Sequence, residues 1–170
     1  MIAVTGRAFA PFVGMPSRSA ESERAARQAR PLEDQAAARL GVAWSCDVFR
    51  FADYSPLDWY CSRGTHFIGV AEIKCRKVRL DEYPTIWLAV RKYQWLAVAA
   101  ERHKCGAVFV VGYTDALMWI DLPRIDARAD KIKADAGRID HGLRNDVEPM
   151  IEIPVSSLLR VTTVVEPEPI

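Results

Sequence analysis

The spacing of apolar positions changes along the chain between a helical and a strand period, and those changes mark the predicted elements. Residues 19–40 are mostly Ala, Arg, Glu and Gln, good helix formers, with Pro31 the main exception. Pro31 removes a hydrogen bond inside a helix but suits a first turn, which predicts a helix over 31–40 ended by Gly41. A looser helical or disordered arm is expected before it. Residues 44–51, WSCDVFRF, alternate and read as a strand, followed by turn residues over 53–56. Two further strands, 57–61 and 66–76, flank the turn Ser62-Arg63-Gly64-Thr65. The second contains FIGVAEI, the near-continuous apolar run of a central strand buried on both faces.

Beyond an acidic turn over 81–84, Thr85 is the expected N-cap of a long helix reaching about Lys104. Apolar residues nearly encircle that helix, so it is expected to be mostly buried. Arg102, His103 and Lys104 complement the negative end of its dipole, and Gly106 can close it. Residues 107–113 read as a buried strand and 116–121 as its hairpin partner. Residues 123–148 are polar and charge-mixed, as in a long loop or mobile flap. Residues 150–155 and 158–165 are expected to return to the sheet edge, with a frayed end. The order helix, strand, strand, strand, helix, strand, strand predicts an α/β fold on a central mixed sheet flanked by helices.

Composition narrows the picture. The 170 residues suit one domain, with an arm over 1–30, a core over 31–122 and an extension over 123–170. With 50% hydrophobic and 26% charged residues, the chain is neither disordered, collagen-like nor a coiled coil. No apolar run approaches the ~20 residues that span a bilayer. A net charge of +1 argues against holding nucleic acid by bulk charge but leaves a local basic groove open. Cys46, Cys61, Cys75 and Cys105 form no C-x-x-C pair, which removes zinc-ribbon and thioredoxin-type readings. They read as reduced structural thiols, suiting a cytoplasmic protein. The start, with a lone Arg7 and an apolar stretch broken by Pro11 and Pro16, makes a poor signal peptide. Met15 is an alternative start.

The chemistry concentrates in Asp58 and in Glu72-Ile73-Lys74. Residues i and i+2 of a strand share a face, so Glu72 and Lys74 lie side by side at the end of an apolar run. A charged pair there is expensive unless a partner or an ion compensates it. Hairpin register decides whether Asp58 joins them. A three- or five-residue loop centred on Gly64 pairs Asp58 with Val70 and makes Glu72 a diagonal neighbour at ~7–8 Å. A two-residue turn, Arg63-Gly64, sends Asp58 to the opposite face. Two carboxylates, the Ile73 carbonyl and waters form an oxygen shell suited to Mg²⁺, with Mn²⁺ as a substitute. Such an ion lowers the pKa of water and stabilises charge on a phosphoryl oxygen. Lys74 beside it can orient the attacking water or steady developing charge.

These residues, in this order of elements, resemble the PD-(D/E)XK nuclease superfamily. Leu57-Asp58 stands at the PD position without its proline, and Glu72-Ile73-Lys74 is the E-x-K. The stretch AEIKCRK…YPTIWLAVRKYQW is similar to small phage- or prophage-encoded members. The resemblance covers roughly residues 31–121 and implies a restriction-endonuclease-like αβββαβ core. It implies a Mg²⁺-dependent DNA nuclease that hydrolyses phosphodiester bonds with metal-activated water. It further implies an assisting Lys92 or Gln94 on the following helix, and Glu33 as an added acidic group near the metal. DNA is the implied partner, with a homodimer or phage-encoded assembly partners as further expectations, and host cytoplasm as the location. Arg76, Lys77 and Arg79 are candidates for phosphate contacts or a solvated strand end. Trp59, beside Asp58, is a candidate for stacking on a splayed base. His66 reads as structural, and His103 and His141 lack metal-ligand spacing. The rival reading is a non-catalytic nuclease fold used for DNA binding or as a phage structural component. The presence of all three core residues favours activity.

Overall fold

The computed structural model describes residues 20–53, 55–134 and 148–162, with side chains over 30–53, 55–133 and 148–162. Helix α1 (Ala20–Trp44) continues through both positions expected to bound it. Pro31 removes one backbone donor without ending the helix. Gly41 is needed for a different reason: a Cβ there would stand 2.8 Å from the Cys46 carbonyl oxygen. The chain doubles back on itself at this point, where the Cys46 N–H donates to the Gly41 carbonyl at 3.0 Å. Ser45, at φ 49°, takes the left-handed conformation that terminates the helix. Ala36, Ala37, Leu40 and Ala43 form its buried face.

Six strands make the main sheet: β1 (Asp47–Arg50), β2 (Trp59–Arg63), β3 (His66–Cys75), β5 (Gly106–Gly112), β6 (Leu117–Asp121) and β9 (Leu159–Arg160). They lie in the order β1-β2-β3-β5-β6-β9, with β3 and β5 parallel and every other pair antiparallel. The expected hairpin over 107–121 is present as β5 and β6. A second, three-stranded sheet consists of β4 (Thr85–Ala89), β8 (Pro149–Pro154) and β7 (Ile132–Ala134), with β8 in the middle.

That second sheet corrects two expectations. Thr85 does not cap a helix; Thr85-Ile-Trp-Leu-Ala is a strand, with Ile86 and Leu88 buried and β8 paired alongside. Helix α2 (Val90–His103) begins only after it. The helix is amphipathic rather than buried all round: Leu96 and Ala99 are buried, whereas Val98 is 51% exposed. Lys104, left-handed at φ 51°, closes it, and Gly106 already belongs to β5. Residues 150–155 lie mostly in the centre of the second sheet instead of at the main sheet's edge. Only Leu159–Arg160 returns to that edge, and residues 163–165 lie outside the described residues. Within the expected flap, 3-10 turns at Leu122–Arg124 and Ala129–Lys131 lead into β7. Residues 135–147 lie outside the described set, as do residues 1–19 of the arm; residues 20–30 are helical.

The alternation of β3 divides the core. Ala71 and Ile73 face α1, packing with Leu40, Trp59, Val108 and Val110. Val70 faces the other way, with Leu96, Phe109, Val111 and the second sheet's Ile86, Leu88, Ile151 and Ile153. Strand periodicity therefore aims Glu72 into the layer beneath α2. At 8% exposure, Glu72 is the one buried charged residue among those described.

Candidate active site

Asp58 reaches Glu72 through the geometry of one hairpin. Its turn is Gly64-Thr65, with Gly64 at φ 59°, pairing Arg63 with His66 and Ser62 with Phe67. Carried on without interruption, that register would set Asp58 against Ala71 and turn its carboxylate from Glu72. The pairing shifts by one residue instead: Cys61 pairs with Gly69, Tyr60 with Val70 and Trp59 with Ala71, leaving Ile68 as a β-bulge. Continued by one residue, this register sets Asp58 directly across from Glu72. The odd-numbered loop and the diagonal pairing through Val70 are both replaced by a two-residue turn and a compensating bulge.

Lys92, in the first turn of α2, lies between the two acids. Its Nζ is 2.6 Å from Asp58 Oδ1 and 3.1 Å from Glu72 Oε2. Burial pushes the Glu72 carboxyl up to about 8; Lys92 opposes that rise and the Asp58 charge adds to it. Burial on its own would depress Lys92, but the Glu72 and Asp58 carboxylates outweigh it and hold the ammonium above its ordinary value. The group is thus a half-buried cation clamped by two acids, one of them buried.

Of the two assisting candidates, only Lys92 enters the site. Gln94 is exposed; two residues along a helix turn a side chain by about 200°, so the two cannot share a face. Lys74 follows Glu72 on the same face of β3, half-buried and in register with Val111. Ile73 buries its side chain toward α1. Strand β2 begins at Trp59, opposite Ala71, and among the described residues its pairing with β3 extends no further. The Asp58 carbonyl accepts from the Phe51 N–H at 2.9 Å and so faces β1. By alternation Trp59 and Ala71 face each other, and the Ile73 carbonyl is directed to the β2 side of β3, beyond the last pair.

Glu33 does not join Asp58 and Glu72 in a three-carboxylate set; among the described residues no three His, Cys, Asp or Glu side chains gather to hold a metal. Its carboxylate lies 3.4 Å from Arg50 Nη2, and burial holds it above the usual range. Arg50 also meets Asp34 at 3.0 Å and lies over the Trp59 ring, 4.1 Å from its centroid. The sequence reading missed this arginine, which ties α1 to β1 and β2 beside Asp58. Its signal was slight: one charged residue in a short alternating strand. Trp59 is no stacking platform, being 3% exposed and turned toward α1.

The other basic candidates lie past the end of β3. Arg79 is 3.3 Å from Asp81 and 3.6 Å from Asp115, Lys77 is exposed, and the Arg76 backbone N–H donates to Gly112. His66 is exposed at the hairpin, His103 packs edge-on against Phe67, and His141 lies outside the described residues.

The donor set suits a hard divalent cation. Asp58 and Glu72 already converge on one positive atom, the Lys92 nitrogen. Oxygen donors without thiol or imidazole match Mg²⁺ or Mn²⁺, with water completing the shell.

No curated protein matches the chain. Among solved structures it is similar to Hjc, a Holliday junction resolvase from Archaeoglobus fulgidus, at 16% identity and a TM-score of 0.44, over 75% of this chain and 86% of that one. It is also similar to D212, a nuclease from a fusellovirus, at 15% identity and a TM-score of 0.40, over 89% of this chain and 92% of that one. A family model described as "Phage putative PDDEXK endonuclease" matches residues 20–161. That span runs from α1 past β9 and includes Asp58, Glu72, Lys74 and Lys92, with β4 between β3 and α2. The chain belongs to this phage PD-(D/E)XK endonuclease family.

Proposed function

We propose that the protein is a divalent-metal-dependent DNA endonuclease whose metal is held by Asp58, Glu72 and the Ile73 carbonyl. The observation that carries this reading is the shared cation: a carboxylate from β3 and one from the residue just before β2 converge on one ammonium in a largely buried site. A carboxylate pair without a compensating cation would be costly there. A metal in that place supplies Lewis acidity, lowering the pKa of a water and stabilising charge on a phosphoryl oxygen.

The chain's own residues do the rest. Glu72 and Asp58 fix the cation's position because one is anchored in the central strand and the other beside the hairpin. Lys74, on the Glu72 face, is placed to orient the attacking water or meet charge developing on the phosphate. Lys92 offsets part of the charge of the two acids, and with a metal held there its ammonium would stand near enough to contact the phosphate. Arg76 and Lys77, further along, are the candidates for holding the DNA backbone.

The test is nicking of supercoiled plasmid in Mg²⁺, Mn²⁺ or EDTA, with Asp58→Asn and Lys74→Ala alongside. Cleavage is expected in either metal and not in EDTA. Asp58→Asn should lose both cleavage and metal-induced thermal stabilisation. Lys74→Ala should keep the stabilisation and lose rate by roughly 100-fold or more, as for other groups acting where charge develops. Absence of cutting in every metal, or cutting indifferent to EDTA, would overturn the proposal in favour of a non-catalytic DNA-binding or assembly role.

A further inference from the structure

On the face of the sheet that carries Asp58 and Glu72, helix α2 packs over β3 and β5, and among the described residues no helix packs comparably over β1 and β2 on that face. That part of the face is aromatic. Phe49 pairs with Tyr60 in register, their rings stacked at 5.2 Å and 29°. Phe51 packs on the same Tyr60 at 4.9 Å, and Tyr60 meets Phe67 of β3 at 6.3 Å. Phe67 in turn meets His103, at the end of α2, at 5.7 Å. Three strands thus contribute to one continuous row of rings.

The row is not simply core. Phe49 is 46% exposed and Phe67 40% exposed, although each already has an aromatic neighbour. Nor is it remote from the chemistry. Tyr60 of β2 follows Asp58 by two residues, a distance of about 7 Å along extended chain, and lies on the same side of the sheet. At the far end His103 meets Phe67, and its exposed sequence neighbours Arg102 and Lys104 add a basic end of α2 to the row. Flat rings open to solvent, positive charge at one end and a phosphodiester-cutting site at the other match unpaired nucleotides. Their bases stack on aromatic faces without regard to sequence, while their phosphates seek cations.

We propose that Phe49, Tyr60 and Phe67 form a stacking platform for the bases of single-stranded DNA, so that the substrate class is DNA with an unpaired segment leading to the Asp58–Glu72 site. The substrate half of this proposal rests on the nuclease reading above; the binding half does not. The platform selects for strand state rather than sequence, because every base offers a π-face and the Tyr60 hydroxyl is the single hydrogen-bonding group on these three rings.

The experiment measures fluorescence anisotropy of the full chain in EDTA. Its probes are oligo-dT of about 16 nucleotides, an equally long strand of tetrahydrofuran abasic units and a blunt duplex. The abasic strand keeps the phosphates and lacks the rings. Wild type should hold oligo-dT at least tenfold more tightly than the abasic strand. Phe49→Ala and Phe67→Ala should each weaken oligo-dT by roughly 5- to 100-fold and leave abasic and duplex binding unchanged. Phe49→Leu, which keeps apolar volume without a flat ring, should behave like Phe49→Ala; melting curves confirm that all three variants fold. Equal wild-type affinity for oligo-dT and the abasic strand overturns the proposal, as does unchanged oligo-dT binding in the variants. Conversion of a dimer to a monomer by these substitutions, with oligo-dT binding intact, would likewise overturn it and assign the row to contact with a second copy. Plasmid nicking reads the nuclease proposal separately. Cutting with insensitive aromatic variants sinks only the platform, and ring-dependent binding without cutting sinks only the nuclease.

Discussion

Asp58, one residue before β2, faces Glu72 of β3 because a two-residue turn is followed by a one-residue bulge. The turn alone has the wrong parity. Ile68, left out of the pairing, restores it and places both acids on the face beneath α2, within reach of Lys92. The site therefore depends on strand register as much as on the identity of its acids.

Register makes an unusual prediction about Ile68. Deleting it removes the bulged residue and leaves the remaining pairs, Ser62 with Phe67 and Cys61 with Gly69, in their present partnership. The hairpin becomes regular, and Asp58 still opposes Glu72. Loss of a half-buried apolar side chain should cost ~1–2 kcal/mol, a Tm decrease of roughly 2–8 °C. Stabilisation by Mn²⁺ in thermal melts should persist. A folded deletion variant with no response to Mn²⁺ would show that the bulge shapes the site in some way other than register.

Glu72 makes metal-free stability depend on pH. Its folded pKa, about 8, lies above its ordinary 4.5. The folded state therefore holds a proton that the unfolded state has released between those values. The stabilisation is complete below about pH 4.5 and is lost as pH rises through about 8. Metal-free protein should lose ~2–4 kcal/mol between about pH 5 and about pH 9, at ~1.4 kcal/mol for each pH unit of displacement. Glu72→Gln should flatten that slope. Urea unfolding in EDTA across the range measures it, and equal slopes in the two proteins would place the proton elsewhere.

Much of this fold can be read from residue patterns, and the limits have physical causes. The apolar run ending in Glu72-Ile73-Lys74 identifies a central strand, since only a two-sided buried strand needs so few polar positions. The β5–β6 hairpin is legible for the same reason. Strand β4 is not: five residues such as Thr85-Ile-Trp-Leu-Ala suit a helix start or a strand, and the choice is made by β8, far along the chain. The Ile68 bulge leaves no mark in composition, because Ile68 is as apolar as its neighbours. Lys92 and Gln94 are equivalent in sequence until docking of α2 selects one face. The row of rings is hidden for the same reason as the bulge: Phe49, Tyr60 and Phe67 come from three strands, and only their register aligns them.

Close packing near the site predicts the outcome at Gly69. A Cβ there would stand 2.9 Å from the Gly106 carbonyl oxygen, where parallel β3 and β5 meet. That neighbour is backbone, so relief requires moving a central strand. Gly69→Ala should destabilise by ~1–3 kcal/mol, as overpacking does in well-filled cores. Gly64→Ala meets no atom within 4 Å, yet its φ of 59° is unfavourable to a side chain. It should cost less, ~1 kcal/mol, through backbone strain alone. Chemical denaturation of both variants ranks them, and the reverse order would contradict the packing account.

Lys92 separates competition from catalysis. Its ammonium lies where a metal shared by Asp58 and Glu72 would draw on the same oxygens. Binding of Mg²⁺ or Mn²⁺ must therefore displace it or share those oxygens with it. Lys92→Met keeps the stem's volume and removes the charge. Without metal the two acids lose their partner, and stability above about pH 8 should fall by ~3–5 kcal/mol, the range for breaking a buried pair. Near pH 5 the loss should be smaller, because a proton on Glu72 replaces the missing cation. Metal affinity should move the other way, tightening about tenfold or more, since no internal cation competes and none repels the ion. Cleavage should nevertheless slow if the displaced ammonium contacts the phosphate. Calorimetric Mn²⁺ titration, melts with and without Mn²⁺, and plasmid nicking on one preparation distinguish these effects. Weaker metal binding in Lys92→Met would mean that the lysine organises the carboxylates instead of competing for them. Unchanged cleavage would remove it from the chemistry and leave Lys74 as the cation that acts on the reacting phosphate.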